Sequence, residues 1–157
     1  MAILNIVKDG DEILRKVCRP VPRVTPRTIR LLDDMAATLH KANGVGLAAP
    51  QVGVLRRICI VECEPGDKIE LINPEIIEMR GEQEEAEGCL SVPGVWGITK
   101  RPEWVKVRAI DRDNNTFTVE GEGLLARALC HEIDHLDGVI FYDKCVRMLS
   151  PDEIGND

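Results

Sequence analysis

Ten residues near the C-terminal end, Leu129-Cys130-His131-Glu132-Ile133-Asp134-His135-Leu136-Asp137-Gly138, constrain this chain more than any other stretch. On a helix, residues four apart leave the same face about one turn apart. His131 and His135 can therefore grip one divalent metal ion. Glu132, beside the first histidine, can reach a water on that ion and take its proton. The plain alternative is a solvated helix that contains His, Glu and His by chance. Three fixed positions in five are easily matched, so the rest of the chain decides.

The chain has 157 residues, 44% hydrophobic and 3% aromatic. That is about one domain (1–157) with a mostly aliphatic core. No run approaches the ~20 apolar residues of a membrane span, so no membrane partner is expected. Met1-Ala2-Ile3-Leu4-Asn5 resembles neither a signal nor a transit peptide. The net charge of −7 argues against direct nucleic-acid binding. Six cysteines in a chain of this size, without a secretory leader, suggest free or metal-bound thiols in a reducing cytoplasm.

In chain order, Gly10 to Arg15 suggests a short helical turn. Thr25-Pro26 opens a helix with core positions at Ile29, Leu32, Ala36 and Leu39, closed by Asn43-Gly44. His40 in its last turn is expected to be solvated. Gly44-Val45-Gly46-Leu47-Ala48-Ala49-Pro50-Gln51-Val52-Gly53 surrounds one amide with small residues, a composition that lets backbone approach a ligand. Residues 57–61 and 69–72 predict strands, with Asn73-Pro74 as an interruption before an extended 75–79. Residues 104–110 and 116–119 predict a hairpin. Gly121 to Gly123 open the His-Glu-His helix, Val139 to Tyr142 predict a short strand, and Ser150-Pro151-Asp152-Glu153 a capped final turn. The acidic run Glu82 to Glu87 suggests mostly a solvated face. The expected class is α+β, mixed or antiparallel sheets packed around a central metal-binding helix.

A catalytic site of this kind needs a third protein ligand and an open position. A third histidine six residues past His135 would fit one protease pattern, but Phe141 stands there. Glu153 is the only glutamate among the twenty-two residues after His135, and the capping box already explains it. Cys130 points about 100° away around the helix. Cys89, between Gly88 and Leu90, is the better candidate, giving a Cys-His-His set with a glutamate base.

Three stretches together, residues 44–51, Glu87-Gly88-Cys89-Leu90-Ser91 and His131-Glu132-Ile133-Asp134-His135, resemble the motifs of the peptide deformylases. The likeness runs from about Ile13 to Tyr142. It implies removal of the formyl group from N-formylmethionine at the start of nascent bacterial or organellar polypeptides. By that likeness Cys89, His131 and His135 bind one divalent ion, commonly Fe(II), with Zn, Ni or Co able to replace it. Glu132 would be the general base, and the Gln51 amide and Leu90 N–H would hold the oxyanion.

Helix geometry adds that Leu124 and Ala128 share the face of His131; with Val45 they suggest an apolar methionine slot. Arg127 faces the same way and is expected to line the rim with its stem. The rest of the peptide would lie as an added strand between Val45–Gly46 and Gly88. The likeness also pairs Glu87 with Arg101. It leaves Trp96 as a departure, since many members carry a substrate-contacting arginine nearby. It allows a transient ribosome contact, although the C-terminal docking helix of some members is expected to be reduced or absent here. A cytoplasmic bacterial monomer is expected. Two other readings share the helix: a metallopeptidase, which needs neither Gln51 nor Cys89, and a structural metal clip, which would want a fourth protein ligand.

Overall fold

The computed structural model describes residues 1–154. Helix α1, Pro26–Ala42, begins where the sequence predicts. Pro26 sits in the first turn, and Thr25 N–H donates to Thr28 Oγ1 at 3.2 Å. It ends at Asn43, whose φ of 56° lets its N–H return to the carbonyls of His40 and Leu39. Helix α2, Leu124–Leu136, carries the His-Glu-His motif and is bracketed by Gly123 and Gly138, both at positive φ. A final turn, α3, spans Pro151–Ile154, with Ser150 N–H donating to Glu153 Oε1 at 3.1 Å as a capping box does.

Among the described residues, eight strands form two sheets. The larger has the order β1-β2-β3-β6-β7, built from Gly46–Ala48, Ile58–Val61, Ile69–Arg80, Trp104–Ile110 and Thr116–Glu122. The smaller has the order β4-β5-β8, from Gln83–Cys89, Val92–Arg101 and Cys145–Met148. Every ladder between these strands is antiparallel. Helix α2 packs on β1, β2 and β7 and also reaches β5. Ala126, Leu129, Cys130, Ile133 and Leu136 on its buried face join Cys59, Val61, Val105 and Val107 in one core cluster. Each such aliphatic side chain contributes about 1.5–3 kcal/mol by leaving water. That burial holds the metal-motif helix in place.

Two local expectations are corrected. Asn73-Pro74 does not end a strand: β3 runs through it with a register shift between Ile72 and Glu75. Asn73 takes φ 52° and fixes the bulge through its side chain, which accepts from Val21 N–H and donates to Val21 O, each at 2.8 Å. A bulge is where proline fits a sheet, because no ladder bond is asked of it. Nor is Val139 to Tyr142 a strand. A 3-10 turn covers Phe141–Lys144, with Ile140 N–H donating to Asp143 Oδ2 at 3.0 Å. Ile140 and Phe141 are apolar because they are buried, and their burial carries no strand periodicity.

Gly138 closes α2 at φ 75°, and a Cβ there would fall 2.5 Å from Arg15 O. Substituting Gly138→Ala is expected to cost about 1–3 kcal/mol from backbone strain alone, read as a lower denaturation midpoint. An unchanged midpoint would contradict this packing.

Candidate metal centre

Three elements deliver the site. Helix α2 supplies His131, Glu132 and His135. The hairpin β4–β5 supplies Cys89 and, in its two-residue connection, Leu90 and Ser91. The 3-10 turn after β1, Ala49–Val52, supplies Gln51. The residues proposed as metal ligands come together: Cys89, His131 and His135 have donor atoms within 4.8 Å of one another, with Cys89 Sγ 3.3 Å from His135 Nε2. Donors of one tetrahedral ion, with bonds of ~2.1–2.3 Å, stand about 3.4–3.6 Å apart. The donor set therefore fits a divalent ion. His131 and His135 are buried and Cys89 half-buried, so few waters compete for the same donors.

The orientation of His131 is set from behind. Glu87 Oε2 lies 2.6 Å from His131 Nδ1, which leaves Nε2 turned toward Cys89 and His135. Glu87 also accepts from Thr99 Oγ1 at 2.8 Å, Arg101 Nη2 at 2.6 Å and Arg127 Nη1 at 2.7 Å. Arg101 in turn reaches Asp134 Oδ2 at 2.5 Å. Glu87, Arg101 and Arg127 are each at most 5% exposed. Burial would raise the Glu87 carboxyl, but His131 and Arg101 outweigh it and hold it well below the usual carboxylate range.

Arg127 borders the cavity, as expected of its stem, while its guanidinium is buried and bonded to Glu87 and Thr99. His40 is exposed as expected and meets Glu62 Oε1 at 2.8 Å. Cys130 faces the core, away from the donors.

Glu132 is 3% exposed, and its Oε1 has no hydrogen-bond partner among the described residues. Its Oε2 lies 3.9 Å from His131 Nε2. Desolvation pushes its carboxyl up to about 7, with His131 acting in the opposite direction. A buried carboxylate near neutrality, with one oxygen unpartnered and the other 3.9 Å from a candidate donor, can accept a proton and return it. Gln51 is fixed by its Oε1, which accepts from Ala48 N–H at 2.9 Å. Its Nε2 therefore points at Cys89 Sγ, 3.5 Å away, and Ser91 Oγ, 3.1 Å away.

Gln51, Cys89, Leu90, His131 and Glu132 border one cavity of about 470 Å³, whose walls include Val45, Gly46, Gly88, Leu124, Ala128 and Trp96. All five positions expected to bind substrate, Val45, Gly46, Gly88, Leu124 and Ala128, are thus at the cavity. Gly46 is obligatory there: a Cβ would fall 2.5 Å from Glu132 Oε2. At Gly88 a Cβ would meet the Trp96 ring at 3.0 Å, so the indole lies flat against that backbone. Both cavity walls are free sheet edges, β1 in the larger sheet and β4 in the smaller.

Residues 3–150 match the family model of polypeptide deformylase. A peptide deformylase of Acetivibrio thermocellus is 57% identical over 154 residues, covering 98% of this chain and 90% of that protein. The crystal structure of a peptide deformylase from Legionella pneumophila superposes with a TM-score of 0.89 at 44% identity, covering 97% of this chain and 89% of that one. The peptide deformylase of Thermotoga maritima gives 0.89 at 34% identity, covering 92% and 99%.

Replacing Glu87 with glutamine leaves Arg101 and Arg127 short of a buried counter-charge and loosens His131. Metal affinity is expected to fall ~10–100-fold, read by metal retained against a chelator. Because the Glu87 pKa is lowered on folding, its stabilisation is complete above the unfolded carboxyl value of ~4.3 and is lost as pH falls toward the folded value. The wild-type acid unfolding curve should therefore be steeper than that of Glu87→Gln. Equal retention and equal curves would refute the role given to Glu87.

Proposed function

The chain belongs to the polypeptide deformylase family and removes the formyl group from the N-terminal methionine of new polypeptides, and we propose that Cys89, His131 and His135 hold its one divalent metal ion, with Glu132 as general base and Gln51 Nε2 and Leu90 N–H as oxyanion donors. The observation that carries this reading is the buried, unpartnered Glu132 Oε1 beside the three-donor cluster and the aimed Gln51 amide. We take residues 1–157 as a single catalytic domain.

When bound, the ion supplies Lewis acidity, lowering the pKa of a coordinated water toward ~7 and polarising the formyl C=O. Glu132 takes the proton of the attacking water. Its oxygen bonds to the formyl carbon, and the charge that develops on the formyl oxygen meets Gln51 Nε2 and Leu90 N–H. The C–N bond then breaks, Glu132 hands its proton to the leaving amine, and formate and a free N-terminal methionine result. Val45, Leu124 and Ala128 receive the unbranched thioether. The following residues add as a strand between the free edges at Val45–Gly46 and Gly88. That mode reads backbone, so it tolerates varied sequence after methionine.

The donor set suits Fe(II), with Zn, Ni or Co as replacements; we propose Fe(II) as the native ion. We further propose a cytoplasmic monomer meeting nascent chains in transient contact with the ribosome. Among the described residues no helix is long and apolar enough to cross a membrane.

Three measurements test the assignment. Replacing Glu132 with glutamine should cut formate release from a formyl-methionyl peptide by about 10²–10⁴ while the metal content stays at one per chain. Gln51→Ala should cost ~10²–10³ in kcat with little change in KM. Turnover surviving in Glu132→Gln would remove the general base from this account. Iron content with activity that decays in air would support Fe(II); an air-stable iron form would contradict it.

A further inference from the structure

The net charge of −7 hides an uneven distribution. Residues 13–32 contain Arg15, Lys16, Arg19, Arg23, Arg27 and Arg30 and no Asp or Glu. Arg19, Arg23, Arg27, Arg30 and Arg56 are all exposed, and none has a carboxylate partner among the described residues. Every other arginine of the chain is ion-paired.

The fold gathers these five. Arg19 and Arg56 are joined by a parallel backbone bridge, with Arg19 N–H donating to Leu55 O at 3.1 Å and Arg57 N–H to Arg19 O at 2.9 Å. Their side chains therefore start side by side. Arg23, Arg27 and Arg56 line one surface groove of about 670 Å³, which has no acidic residue in its walls. Arg30 follows Arg27 by three on α1, so the two are neighbours on the helix surface. Like charges this close repel, since screening in physiological salt reaches only ~8 Å. A polyanion relieves that repulsion.

We propose that this face binds the phosphate backbone of structured RNA. Arginine's planar fork matches phosphate oxygens two at a time, and an extended polyanion can meet all five guanidinium groups together. A membrane surface is less suited, because anchoring there takes large apolar groups beside the cations. The groove offers Pro22, Pro26, Val54 and a half-buried Leu31, with Ile58 buried and no aromatic side chain in its walls. The docked molecule would keep its catalytic cavity free. The arginines cluster at the N-terminal end of α1, whereas Asn43 and Gly44 just past its C-terminal end line the cavity. A 17-residue helix separates the two by about 25 Å. An enzyme acting on newly made chains would thus be held near RNA with its substrate groove clear of the contact.

The test is fluorescence anisotropy of the metal-loaded protein with a labelled 20-base-pair RNA duplex between 50 and 200 mM salt. Binding should weaken about 10²-fold across that range, as expected for four or so phosphate contacts. The triple variant Arg23→Glu, Arg27→Glu, Arg56→Glu should lose at least tenfold in affinity at 50 mM salt and keep wild-type turnover of a formylated tripeptide. A control with the same charge change elsewhere, Arg80→Glu, Lys100→Glu, Arg147→Glu, should bind better than the patch variant. If charge reversal impairs folding, the corresponding triple glutamine variant should show the same loss. Absence of duplex binding, equal binding by the patch variant, or an equal loss in the control would overturn the proposal. So would binding to phosphatidylserine vesicles in preference to the duplex.

Discussion

The carboxylate of Glu87 is the point on which the site depends. It is buried in β4 and is bonded to Thr99 and Arg101 of β5 and to Arg127 and His131 of α2. One side chain thereby ties the small sheet to the helix and sets the ring of a candidate metal donor. Removing one member of such a buried cluster typically costs about 3–5 kcal/mol, because the remaining charges are left uncompensated. The acid that looks like one of several in a solvated run is thus the one that cannot be solvated.

Around that anchor, close approach does the rest. The absence of a side chain at Gly46 lets β1 lie against Glu132, and that contact confines its carboxylate to the cavity. Gln51 is held by Ala48 N–H in the turn that follows β1. The same short strand thus presents an open edge on one side of the cavity and an aimed amide at its floor. Across the gap, Trp96 lies on Gly88 and stiffens the facing edge without filling the space between them. Two sheet edges, an amide, a carboxylate and three metal donors converge because α2 is packed into the core on one face and left polar on the other.

Much of this was legible in the sequence where chemistry is local. The spacing of His131 and His135, the adjacency of Glu132 and the glycine-flanked Cys89 each speak for themselves, and the structure brings them together. Helix α1 was readable because its cap and breaker are both local signals. Strands β4 and β5 were not: Gln83–Cys89 holds three glutamates and a glutamine, with no period-two apolar face to reveal it. The partners of the Arg127 guanidinium are not legible for a related reason. Helix periodicity gives the direction of its Cα–Cβ bond but says nothing of the buried carboxylate waiting at the end of the side chain. Pro74 was read as a break because the bulge that admits it is stabilised by Asn73 and Val21, which are 52 residues apart.

The central claim is that this cavity performs amide hydrolysis on a formyl group and not on a peptide bond. Anaerobic incubation of the metal-loaded protein with N-formyl-Met-Ala-Ser and, separately, with Met-Ala-Ser tests it most directly. The account predicts formate and free Met-Ala-Ser from the first and no change in the second. Cleavage between residues without formate would contradict it and would make the chain a metallopeptidase.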